Sequence, residues 1–335
     1  MKQMIYFGIL LGVIVIGFSS CARLFGGISK NKAAKNIETY LQREYKDELD
    51  FKNLNRFFNA ATMNPNMFSV HIYNKKIPEI EFYTHINAKN ILVNDTLPLY
   101  GSEKLTFNDL YKESINIYET KQAIRNDFKS SGLDVNFKIE SIELIFKEDL
   151  TPQVLDNLIP KFMERLNQSY NELNSLYSQH LLIKTPQYPE GFIEIPLETH
   201  TNTWQIKDFL LSKKIQGFPS LQTKIEEKIG TNIREAFPYF KISNYRKIYL
   251  DKSSLSKAAW VQYLDDKRIK NDGEGKYQNP QKGLYILYFD LDTRHIYRGE
   301  MITDQNDTTS YEEEFNQIKN VIEAEGINAI YQQTN

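Results

Sequence analysis

A run of apolar residues from 4 to 18, closed at once by Ser19, Ser20 and the only cysteine of the chain, Cys21, constrains this sequence more than any other feature. Lys2 precedes the run and glycines interrupt it at 8, 12 and 17. A short cationic start, an apolar middle and small residues before a cleavage point make up the layout of a signal peptide. At roughly 15 residues the run falls short of the ~20 that a permanent membrane-spanning helix needs. Residues 1–20 are therefore set aside from the fold. A lone cysteine also excludes an intrachain disulfide framework and a cysteine-rich zinc site, and its place in the targeting segment excludes a cysteine nucleophile.

The segment Phe18, Ser19, Ser20, Cys21 resembles a bacterial lipobox, with Phe18 where that pattern usually has Leu. The resemblance implies cleavage before Cys21 and acylation of its sulfur and its new amino group with palmitate-class chains. An uncleaved signal anchor and an ordinary cleaved signal peptide are the rival readings of the same run. Three acyl chains, at about 0.8 kcal/mol for each buried CH2, exceed the two-signal threshold for stable attachment to a bilayer. Residues 22–29 would then be a tether of at most about 3.3–3.6 Å per residue, holding the folded part beside the membrane. Arg23, Lys30, Lys32 and Lys35 lie in or next to it, where each cation near an anionic surface contributes about 1 kcal/mol. Ala22, Arg23, Leu24, Phe25, Gly26 and Gly27 lack the acidic run that follows the cysteine in surface-exported lipoproteins. The expected place is the cell membrane or outer membrane, lipid-anchored and facing the periplasm.

From residue 31 onward Ala33, Ala34, Ile37, Tyr40, Leu41 and Tyr45 recur at helical spacing, and a domain starts there. Phe68, Val70 and Ile72 share one face of a strand over 67–73, and Ile80, Phe82, Thr84 and Ile86 share one face of a second over 79–87. Together they read as a hairpin in which Ile72 faces Ile80 or Phe82. A helix follows over 106–130, stopped by Gly132. Val135, Phe137 and Ile139 alternate, after which the apolar parity changes to Ile142, Leu144 and Phe146, so one strand with a bulge near Glu140 is expected. Thr151 and Pro152 open a long helix, kinked at Pro160, whose stripe reaches Tyr177.

Short strands at 180–184 and 192–197 enclose a turn marked by Pro186, Pro189 and Gly191. Helices are expected over 205–212, 221–237 and 254–264, and strands over 240–250, 284–290 and 295–302. Residues 265–282, with Gly273, Gly275 and Pro280, read as an exposed loop, and Ser310 with Glu313 caps a last helix. A helix followed by two or more antiparallel strands recurs, which gives an α+β fold with helices packed on antiparallel meander sheets. The expected divisions are a signal peptide at 1–20, a tether at 21–30, and α+β domains at 31–149 and 150–335. The first domain resembles in layout the cystatin-like or PepSY-like modules of secreted bacterial lipoproteins. Layout alone implies no activity, although a cystatin-like one permits an inhibitor that protects against a toxin or protease.

Hydrophobic residues at 41% and charged residues at 25% match globular averages and exclude wholesale disorder and a multi-span membrane protein. Lys plus Arg total 41 against 43 Asp plus Glu, so no overall positive field awaits a nucleic acid, which is not an expected partner. No GxSxG elbow, GxxxxGK[ST] loop or HExxH motif occurs. The five histidines, at 71, 85, 180, 200 and 295, form no HxxxH or HxH pair, and neither a metal nor a cofactor is expected. Only His71 and His85 come together, as diagonal neighbours on the outward face of the hairpin in one of its two registers. Asp304, Asn306 and Thr308 begin like a calcium loop, but Thr309 and Phe315 stand where such a loop needs Gly and Glu.

Two candidate sites remain. Asp290, Asp292, Arg294 and His295 gather at a hairpin tip and supply the carboxylates and imidazole of acid–base chemistry. Trp204, flanked by polar residues, is the candidate interface anchor. The first functional reading is a non-enzymatic envelope lipoprotein, anchored through Cys21, that binds a protein or polymer beside the bilayer. Its rival is a membrane-tethered hydrolase of an envelope polymer that uses Asp290, Asp292 and His295.

Overall fold

The computed structural model describes residues 26–57, 64–97, 105–174, 180–269, 281–303 and 311–329. Cys21 and the signal segment lie outside them, as do Asp304, Asn306 and Thr308, the core of the 265–282 loop and the Ser310 cap. The described residues form six helices and two sheets, and the fold is α+β. They divide into two compact units between Gln122 and Ala123. Among them no helix is long and apolar enough to cross a membrane.

The first unit begins with α1 (Lys30–Tyr45), whose N-terminus is capped by the Ser29 side chain accepting from the Lys32 amide. The stripe expected from the sequence buries Ala33, Ile37, Tyr40 and Leu41. It packs with β1 (Leu49–Arg56), β2 (Met67–Asn74) and β3 (Glu81–Asn87), an antiparallel sheet in the order β1-β2-β3. Ile72 faces Phe82, one of the two expected registers, and Phe68, Val70 and Ile72 are fully buried. Strand β1 escaped the sequence reading because its register slips between Lys52 and Asn55, where Asn53 has φ +57°. The slip breaks the two-residue alternation that would have announced it. Phe107 and Tyr111, at the start of α2 (Phe107–Lys129), complete this core, and Thr106 with Asp109 caps that helix.

The second unit holds β4 (Leu133–Phe137), β5 (Ile142–Phe146), α3 (Pro152–Gln168), α4 (Tyr170–Leu173), β6 (His180–Lys184), β7 (Ile193–His200), β8 (Thr203–Ile206) and β9 (Leu210–Leu211). It continues with α5 (Phe218–Ala236), β10 (Phe240–Leu250), β11 (Lys257–Asp266), β12 (Gln281–Asp290), β13 (Ile296–Thr303) and α6 (Tyr311–Ala324). The strands join in one sheet in the order β13-β12-β11-β10-β9-β7-β6-β5-β4, with β8 paired to β7. Strands β10 to β13 form an antiparallel meander, of which the β12–β13 pairing was expected, but β5 and β6 run parallel, joined by the crossover through α3.

Four expectations differ from this structure. The change of parity near Glu140 is a reversal rather than a bulge: the Lys138 amide donates to the Ser141 carbonyl at 2.9 Å, and Leu133 and Val135 pair with Phe146 and Leu144. Strands β4 and β5 therefore belong to the second sheet, and the compact units divide well before residue 149. The helix from Thr151 passes Pro160 and breaks at Ser169, so α3 and α4 replace one kinked helix.

Residues 205–212 and 254–264, read as helices, are instead β8, β9 and β11. Strand β11 lies inside a sheet covered on both faces, so Ala258, Ala259, Trp260 and Val261 are all fully buried. A continuous apolar run of this kind has no period to separate strand from helix.

Candidate functional site

Three connections of the second unit line an open cavity of about 460 Å³. Gln187 and Tyr188 come from the β6–β7 turn, Ile215, Gln216, Gly217 and Leu221 from the entrance to α5, and Leu291, Asp292 and Arg294 from the β12–β13 turn. Each connection is rigid for a local reason. Pro186 fixes the backbone of the first, and the Thr185 and Tyr188 main chains exchange hydrogen bonds of 3.3 and 3.1 Å across it. The Tyr188 ring then stacks on Phe192, with centroids 4.4 Å apart. Burial pushes the Tyr188 phenol above its usual value, and the Asp292 charge adds to this while Arg294 opposes it.

The β12–β13 turn is held by Asp290, whose Oδ1 accepts from both the amide and the hydroxyl of Thr293 at 2.8 Å each. The Asp290 amide donates to the His295 carbonyl at 3.0 Å, closing the hairpin. Those donors, the Thr293 amide first, hold the Asp290 carboxyl below the usual carboxylate range. A folded-state value below the unfolded one means that the turn gains stability above the ordinary carboxylate range and loses it as pH falls through the depressed value. Thr293→Val removes the hydroxyl donor, and an NMR titration of Asp290 is expected to move upward relative to the native chain. An unchanged titration would show that the hydroxyl does not hold the carboxylate.

Arg294 continues this turn with φ +53°, its carbonyl accepting from Lys224 Nζ at 3.0 Å. Its guanidinium lies over Gly217, where a β-carbon would stand 2.8 Å from Nη2. Gly217 also has φ +77°, which side chains disfavour. Gly217→Ala is expected to cost about 1–2 kcal/mol in strain and to displace the Arg294 guanidinium. Urea unfolding measures the first effect and the Arg294 side-chain NMR signal the second; loss of less than about 0.5 kcal/mol with an unmoved signal would contradict both.

The sequence candidates are divided by this geometry. Asp292 lines the cavity, whereas Asp290 serves the turn and neither it nor His295 belongs to the lining. His295 is exposed, and its amide donates to Thr293 Oγ1 at 3.3 Å. The three residues are thus not gathered on one cavity wall. Trp204 is only 8% exposed: its ring packs on Tyr170 at 4.6 Å and its main chain exchanges two hydrogen bonds with the Asn167 side chain. That corrects the expectation of a surface anchor, because polar neighbours in sequence were alternating residues of β8 rather than a polar surround.

His71 and His85 do occupy the register that makes them diagonal neighbours, with His71 facing Tyr83 and His85 facing Ser69. Each turns elsewhere, however: His71 Nε2 lies 2.9 Å from Glu81, and His85 stacks on Phe57 at 3.8 Å. Burial beside Phe57 lowers the His85 pKa from its usual value. Among the described residues no group of three or more His, Cys, Asp or Glu is placed to hold a metal ion.

Tyr188, Gln216 and Gly217 were not singled out from the sequence. Their signals were the prolines around Tyr188 and Gly217 standing before Phe218 and Pro219, a helix start. No protein-family model matches the chain, and no curated protein matches it.

Proposed function

We propose that this protein is a lipid-anchored lipoprotein of the bacterial cell envelope, facing the periplasm, that acts as a binding module and takes its ligand in the cavity between the β6–β7 turn, the start of α5 and the β12–β13 turn. The observation that carries the reading is the make-up of that cavity. Its apolar side chains Ile215, Leu221 and Leu291 stand beside two amides, one phenol, one carboxylate and one guanidinium, the mixture that orients a small ligand. The acid–base trio read from the sequence is not assembled there, since Asp292 lines the cavity with Tyr188 while Asp290 and His295 lie outside the lining. The anchor rests on the apolar run, the small residues and Cys21, with a tether too short to carry the folded part far from the bilayer.

Intact mass of the chain extracted from bacterial membranes tests the anchor. The expected species begins at Cys21 and carries a diacylglycerol and a third acyl chain, while an unmodified chain that keeps residues 1–20 would overturn it. The cavity is tested by hydrogen exchange of the membrane-bound protein. Added envelope extract is expected to slow exchange over 186–191, 213–221 and 291–295, and no slowing in these segments would remove the cavity from the reading.

A further inference from the structure

Eight of the nine arginines among the described residues have an acceptor for the guanidinium, which for Arg43, Arg165, Arg246, Arg268 and Arg298 is a carboxylate. Arg294 is the exception: no described side chain or carbonyl accepts from its guanidinium, and no ion pair joins it to Asp292, two residues away on the same cavity wall. The residue is exposed, and its guanidinium rests over Gly217 at the mouth of the cavity. The Lys224 contact fixes its backbone and Gly217 lets its plane lie against the main chain. A planar, always charged fork with its donors uncommitted to any described residue is the group best suited to bidentate binding of a carboxylate.

We propose that the cavity takes a carboxylate carried on an apolar body, with the carboxylate on Arg294 and the apolar part on Ile215, Leu221 and Leu291. The inference rests on the binding reading above and names its ligand. A single cation favours a monoanion, because a phosphate dianion would be only half neutralised and would still face Asp292. Asp292 accepts a hydrogen bond from an N–H near the carboxylate, and the Gln187 and Gln216 amides suit a neighbouring peptide group. A peptide C-terminus ending in an apolar residue and a free apolar amino acid both have this chemistry. At about 460 Å³ the cavity has room for either.

The full chain in phosphatidylcholine nanodiscs is titrated calorimetrically with acetyl-Ala-Ala-Leu, with its C-terminal amide, and with free leucine. The acid is expected to bind at least about tenfold more tightly than the amide, the difference that one charge-assisted pair makes. Arg294→Gln should abolish that preference while Asp292→Asn keeps it, so misfolding is separated from loss of the charge. Tighter binding of leucine than of the peptide would identify a free amino acid as the source, and the reverse a peptide terminus. Equal binding of acid and amide would overturn the carboxylate while leaving a ligand-binding cavity. Absence of binding by all three probes would overturn the inference, and the exchange experiment with envelope extract would then decide the binding reading separately.

Discussion

Trp260→Ala is expected to destabilise the second unit by about 3–5 kcal/mol, the usual cost of emptying a large buried aromatic site. Trp260 is fully buried on β11, its ring stacked on Phe218 at the start of α5 with centroids 6.1 Å apart and an interplanar angle of 18°. The Arg246 guanidinium lies 5.3 Å from the ring on its way to Glu226. The indole also orders a polar group: its Nε1 donates to Gln262 Oε1 at 3.2 Å, and Gln262 Nε2 donates to the Ser243 and Tyr245 carbonyls at 2.7 and 2.9 Å. Those carbonyls lie where the β10–β11 register shifts between Ile242 and Arg246, and the ladder cannot satisfy them there. Removing the ring therefore leaves a cavity and frees the side chain that completes the bulge.

Trp260→Phe separates the two contributions, because it keeps most of the packing and leaves the Gln262 acceptor without its donor. A cost of about 1–3 kcal/mol is expected for it. Urea unfolding measures both, and in a unit of about 200 residues each kcal/mol lowers Tm by roughly 2–4 °C. A loss below about 1 kcal/mol for Trp260→Ala would show that β11 and α5 are held together elsewhere. Because Phe218 adjoins Gly217 and Ile215, the same substitution should also loosen the cavity wall.

The helices α1, α2 and α5 were legible because one face of each meets a core and the other water, which writes a 3.6-residue period into the sequence. The β2–β3 hairpin was legible to within one register for the equivalent reason, with Ile72 and Phe82 inward and His71 and Tyr83 outward. Strand β11 carries no such record, since a strand covered on both faces is apolar throughout and its two alanines favour the wrong element. The pairing of β5 with β6 was equally hidden, because a parallel partner lies beyond a helix and leaves no local turn signal. As for the site, Asp292 and Arg294 stood out as charges at a predicted hairpin tip. That the tip meets Tyr188 and Gly217, about 70 to 100 residues away in sequence, follows from the strand order and from nothing local.

The proposed anchor calls for the other large effect: Cys21→Ser is expected to move the protein from the detergent phase to the aqueous phase almost completely. Serine lacks the thiolate that takes up the diacylglycerol, so the variant loses every acyl chain at once. One 14-carbon chain gives only reversible attachment, with an association constant on the order of 10⁴ M⁻¹, whereas two or more anchor stably. Lys30, Lys32 and Lys35, exposed at the start of α1, do not replace them. Their contribution is about 1 kcal/mol each on an anionic surface and is screened by salt. A salt wash should therefore release whatever variant remains bound and leave the native chain in place. The outcome opposed to this is specific: equal retention of both chains, each keeping residues 1–20 by mass, would make the apolar run itself the anchor. Cys21 would then be a small side chain at the end of a signal anchor, and the position of the folded units beside the bilayer would rest on that run alone.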